Sequence, residues 1–250
     1  MNKRLFFVTV LFLIVPVSFW FCGWHWQGKE ISSSYYFFLL TQTAGKPWFI
    51  VSCFILFTLL YFAHRRGEIQ LLALLILFSI GSTQVLKTVI KPLVAEPRPY
   101  VVAMFANNNT NIRAFYAQPR VLRAAIVSTY YEERGDTPSY LSKHRAHETG
   151  YSFPSGHTIF AVSWSFLFAG VIGFANRRRA LISGAVIFWA VNVMFSRVLL
   201  GMHYPVDLAA AIIISAVIHL LLLAVWQRRN TPQIQKYIRR LSSLRRSNKQ

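Results

Sequence analysis

Three short blocks carry side chains that could bind and attack an anion. The first places Lys91 seven residues before Arg98-Pro99; the second is Pro154-Ser155-Gly156-His157; the third is Ser196-Arg197, followed by His203 and Asp207. Lys91, Arg98 and Arg197 supply one compact cation and two planar forks suited to phosphate oxygens. Ser155 and Gly156 stand at the start of an apolar run, where a new helix turns unpaired N–H groups outward and favours an anion. Gly156 also lets the backbone come close to a bound group. His203 and Asp207 are four apart, so the carboxylate can accept from one imidazole nitrogen and leave the other as a bare lone pair able to attack. His157 is the remaining titratable group, suited to protonate a departing alkoxide.

The elements that must position these blocks are membrane spans. The chain is 54% hydrophobic and only 14% charged, well under the quarter charged that soluble domains carry. A helix needs about 20 apolar residues to cross a bilayer, and six stretches qualify: about 5–23, 47–63, 69–90, 158–176, 180–200 and 205–226. The first follows Lys3 and Arg4 and has no small-residue cleavage site after it, since Ser18-Phe19-Trp20-Phe21 is too bulky, so it reads as an uncleaved anchor. The expectation is an all-α integral membrane protein, one membrane domain with six transmembrane helices.

Orientation follows from basic clusters. Lys3-Arg4, Arg65-Arg66, Arg177-Arg178-Arg179 and Arg228-Arg229 all fall on one side of a six-span chain, which the positive-inside rule makes cytoplasmic, with both termini inside. All three reactive blocks then fall on the outer, periplasmic side. That agreement tells against duller readings taken singly: Arg98, Arg197 and Lys91 as interfacial anchors, Asp207 and Ser155 as helix caps.

The loop at 25–46 and the turn at 201–204 also lie outside, as does a long insert at 91–153. Val121, Leu122, Ala125 and Ile126 recur there at helical spacing, predicting a small helical periplasmic cap, with a solvated loop as the alternative. His144, Arg145 and His147 read as solvated surface, with contact to a larger headgroup as the alternative. The segment 227–250 carries eight basic residues and no acid. Ile234, Ile238, Leu241 and Leu244 there fit a cytoplasmic amphipathic helix on anionic lipid or a disordered basic tail. The net charge of +19 lies beside apolar runs and in that tail, without the aromatic-basic stripes that single-stranded nucleic acid needs, so a nucleic-acid partner is excluded. Cys22 and Cys53 read as membrane thiols, with one bridge between them as the alternative. His219, about 18 Å along its helix from Asp207, reads as a helix-to-helix hydrogen bonder. Aromatic residues at 20–26 and Trp48 fit an interfacial belt.

The pattern Lys-x6-Arg-Pro, Pro-Ser-Gly-His and Ser-Arg-x5-His-x3-Asp resembles the type 2 phosphatidic acid phosphatase (PAP2) family. The runs Gly23-Trp24-His25-Trp26-Gln27, Glu96 to Tyr100, Glu148 to Thr158 and Ser196 to Pro205 are similar to bacterial members acting on phosphatidylglycerophosphate. The resemblance implies a lipid phosphatase of the bacterial inner membrane that works by in-line displacement. His203 is the implied nucleophile, forming a phosphohistidine; Asp207 orients it and His157 is the acid and then the base. Lys91, Arg98, Ser155, Gly156 and Arg197 hold the phosphoryl oxygens. Implied substrates are phosphatidylglycerophosphate and also undecaprenyl diphosphate, phosphatidic acid and lysophosphatidic acid, with no cofactor and no metal. A phosphotransferase and a non-catalytic lipid-phosphate binder or transporter are the alternatives.

Overall fold

In the computed structural model the described residues are 2–28, 31–64 and 69–229. They form eleven helices and no strand: α1 (Asn2–Phe21), α2 (Ser34–Gln42), α3 (Phe49–His64), α4 (Ile69–Val94), α5 (Pro99–Met104), α6 (Asn109–Ala117), α7 (Arg120–Arg134), α8 (Ser139–His147), α9 (Gly156–Val171), α10 (Arg177–Leu199) and α11 (Pro205–Arg229). Stretches in α1, α4, α10 and α11 are long and apolar enough to cross a membrane, whereas α3 and α9 are shorter. Each of those two has 16 residues, about 24 Å of helix at 1.5 Å per residue. The stretch expected at 158–176 stops at Val171 because Gly173 takes a positive φ of 61° and Asn176 restarts the chain, accepting from Arg179 N to cap α10. The basic clusters at 65–66 and the tail after Arg229 lie outside the described residues.

Helix α9 is the axis of the bundle. Every residue from Thr158 to Gly170 is buried, with α10, α11, α4 and α1 packed around it. The shared core holds Phe12, Leu60, Leu72, Trp164, Phe166 and Phe168. Gly170 permits the approach of α11, since a Cβ there would come within 2.3 Å of Leu223. His219 bridges α11 and α4, 2.6 Å from Ser79 Oγ, with its other ring nitrogen 2.7 Å from the Ser215 carbonyl, the helix-to-helix role its sequence position suggested. Cys22 and Cys53 are free thiols.

The segment between α4 and α9 is helical. Asn108 accepts from the N–H groups of Thr110 and Asn111 and so starts α6 inside the asparagine-rich run. The expected helix near 121–126 is α7, but its buried face differs from the one periodicity picked: Val121 and Leu122 are exposed, while Val127 and Tyr131 are buried. With Tyr100, Val101, Phe115 and Leu141 they make a second core, closed by Leu200 and Met202 from the turn between α10 and α11. That contact joins the insert to the site.

Candidate active site

The turn after α10 carries the pivotal histidine. Gly201 leaves the helix at φ 70° and is pressed by the Trp26 indole, which would lie 2.6 Å from any Cβ there. His203 Nδ1 lies 3.1 Å from Asp207 Oδ2. The same carboxylate oxygen accepts from Tyr204 N–H at 2.9 Å and from the Ser152 hydroxyl, which sits 3.3 Å from His203 Nδ1. A carboxylate accepting at Nδ1 assigns the proton there and leaves Nε2 as the lone-pair nitrogen. Nε2 is 3.5 Å from Arg98 Nη1. Burial and then the cations Arg98, Arg197 and Lys91 hold the His203 imidazole well below the usual histidine range, so it is neutral at neutral pH.

The cations come from three directions. Lys91, in the last turn of α4, donates to the carbonyls of Tyr151 at 2.5 Å and Ser152 at 3.1 Å, which leaves one of its three protons for the cavity it lines. Arg98 is held by the carbonyls of Gly150 at 2.8 Å and Met202 at 3.1 Å. Ser155 caps α9, accepting from Thr158 N–H, and its own N–H donates to the Asp207 carbonyl at 3.3 Å. Gly156 opens the helix, and Lys87 crosses it so closely that a Cβ would stand 2.8 Å from Lys87 Cδ. His157 follows, its Nε2 pointing at Gly45, where a Cβ would meet it at 2.4 Å.

Lys91, Arg98, Gly156, His157 and His203 line one cavity of about 1350 Å³. Phe49, Ile50 and Phe160 give it an apolar wall, and its exposed rim carries Arg120, Lys143 and His147. Three predicted residues stand behind this wall. Asp207 supports His203 from the rear. Ser155 is fully buried at its cap. Arg197 is fully buried, and Glu148 comes between it and the cavity, accepting from Nη2 at 2.6 Å.

Glu148 was not singled out in the sequence, although it is the one acid between Asp136 and Asp207. Its carboxylate also lies 3.3 Å from Arg98 Nη1, 3.4 Å from His157 Nε2 and 3.8 Å from His144 Nε2. Burial pushes its carboxyl up, but Arg197, His157, His144 and Arg98 outweigh that and hold it well below the usual carboxylate range. His144 and Arg145, expected on a solvated surface, are both buried. The reason is the packing of α8 on α7. It seats Arg145 between the Trp26 and Tyr131 rings at 4.7 and 4.9 Å, with Nη2 donating to the Leu200 carbonyl at 3.1 Å. His144 stands 3.3 Å from Arg197 Nη1, and burial lowers its pKa to about 4. His147 remains exposed at the rim.

The PAP2 superfamily pattern matches residues 72–231. Phosphatidylglycerophosphatase B of Haemophilus influenzae is 35% identical over 236 residues, covering 92% of this chain and 98% of the relative. Phosphatidylglycerophosphatase B of Escherichia coli K12 is 37% identical over 213 residues, covering 83% of this chain and 82% of the relative. The family resemblance carried by the three sequence blocks is the family these comparisons find.

Proposed function

The chain belongs to the PAP2 superfamily, and from that premise we propose that it is a bacterial inner-membrane lipid phosphatase acting first on phosphatidylglycerophosphate. Undecaprenyl diphosphate, phosphatidic acid and lysophosphatidic acid present a terminal phosphate in the same way and belong to its range. The carrying observation is the pair His203–Asp207, with Nδ1 held at 3.1 Å and Nε2 left beside Arg98 in a cavity that His157 also lines. The names of the two relatives support the choice of substrate.

In the first step Nε2 of His203 bonds to phosphorus as the bond to the leaving oxygen breaks. The alkoxide takes a proton from His157, and a phosphohistidine remains. In the second step His157 takes a proton from water, which displaces the histidine and releases phosphate. Asp207 stabilises the positive charge that grows on His203. Lys91, Arg98 and the first N–H groups of α9 face the phosphoryl oxygens as charge shifts. Arg197, with Glu148 between it and the cavity, adds its positive charge to the site from behind. Six crossings, with the short α3 and α9 among them, put the ends bearing Arg4, Arg177–Arg179 and Arg228 in the cytoplasm and the site at the periplasmic face. The apolar wall formed by Phe49, Ile50 and Phe160 admits acyl chains from the side.

The test is phosphate release by the full-length protein in detergent with excess chelator. The wild type should release phosphate and form an acid-labile, base-stable phosphoprotein, and His203→Ala should lose at least about a thousandfold in rate. Equal activity of the two proteins would remove His203 from its role. Activity abolished by the chelator and restored by Mg²⁺ would refute the metal-free mechanism, and phosphate appearing on a lipid acceptor would make the enzyme a transferase.

A further inference from the structure

We propose that Glu148 is a positioning residue for this reaction: it pairs with His157 and offsets part of the surrounding positive charge, so that the imidazole can take up the proton it donates. The inference rests on the role given to His157 above. The geometry is divided between the two carboxylate oxygens. Oε2 is fixed by Arg197 Nη2 at 2.6 Å and Arg98 Nη1 at 3.3 Å, which leaves Oε1 facing His157 Nε2 at 3.4 Å. His157 is itself confined, because the Nε2 edge of its ring abuts Gly45, where there is no room for a Cβ.

The surroundings explain why the acid needs such a partner. Around His157 stand Lys46 before α3, Lys87 and Lys91 on α4, Arg98, His144 on α8, and Arg197 on α10, with His203 across the cavity. A second positive charge among so many cations is disfavoured, and a general acid there would be deprotonated before substrate arrives. Among the described residues lining the cavity, Glu148 is the one acid; Asp207 is occupied on the far side of His203. Glu148 cannot be the proton donor, since its guanidinium partners keep it ionised. It stabilises the imidazolium before transfer. When the P–O bond breaks, the leaving oxygen takes one imidazolium proton, and neutral His157 remains beside the carboxylate, ready to accept a proton from water.

The test is the pH dependence of kcat/KM for wild type, Glu148→Gln and Glu148→Asp, on phosphatidic acid and on p-nitrophenyl phosphate. The aryl leaving group needs little protonation. For Glu148→Gln the basic limb on the lipid should move toward acid by about one unit or more, the usual effect of an opposite charge at this range. That is roughly a tenfold loss near pH 8 that largely recovers near pH 6, with a smaller loss on the aryl ester. Glu148→Asp should return part of the limb. A loss by one constant factor at every pH and on both substrates would make Glu148 merely structural and overturn the proposal. His157→Ala separates this from failure of the underlying mechanism. If it is as impaired on the aryl ester as on the lipid, His157 is not the proton donor. If it spares the aryl ester while Glu148→Gln shows no pH shift, the mechanism stands and the proposal falls.

Discussion

Helices α3 and α9 have the same length and are both strongly apolar, yet they occupy opposite surroundings. Helix α9 is buried on every side, while α3 buries Leu56, Leu60 and Ala63 and turns Ile50, Phe54 and Phe62 outward. In lipid an all-round apolar surface suits either place, so hydropathy does not separate them. The side-chain sizes do. Helix α9 interleaves Ala161, Ser163, Ser165, Ala169 and Gly170 with its aromatic residues, and small residues let neighbouring backbones come close when lipid supplies no hydrophobic drive between helices. The helix that starts with Gly156 and His157 is therefore tightly held, while α3, whose Phe49 and Ile50 line the same cavity, is held on one face only.

This contrast can be broken from either side. Trp164, fully buried at the centre of α9, should cost about 3 kcal/mol when truncated to alanine. A thermal midpoint measured in detergent should fall by roughly 10 °C, and an unchanged midpoint would mean that α9 is not the axis of stability. A smaller effect should come from acid. Unfolded, His144 and His203 gain a proton near pH 6.5; folded, burial first and neighbouring cations with it keep both neutral, His144 down to about 4. The unfolded state then binds more protons, so the contribution of these two histidines should be level above pH 6.5 and decline as pH falls toward 4. Denaturation followed across that window should show a shallower slope for His144→Gln, and equal slopes would remove His144 as a source. The smallest effect is expected at Phe54, exposed on α3. Phe54→Ala should leave stability within about 0.5 kcal/mol, and a large drop would mean that a partner covers this face.

The sequence by itself determined the three candidate blocks, because each spacing is local chemistry: a carboxylate one helical turn beyond a histidine, a small-residue start to an apolar helix, cations at a helix end. It determined the family for the same reason, and it set the long apolar helices through composition and length. It did not reveal which face of α7 is buried, since periodicity marks an apolar stripe without saying what lies against it, and Val127 and Tyr131 turned inward in place of Val121 and Leu122. Nor did it reveal Ser152, which donates to Asp207 across 55 residues of chain, or the burial of Arg145 between rings from α1's following loop and from α7. Above all it left Glu148 as one acid among polar residues before a motif. Only the packing of α8 on α7 carries that carboxylate to Arg98, Arg197, His144 and His157 together, because the low dielectric of a buried site makes a charge stable only where the fold has already gathered its partners.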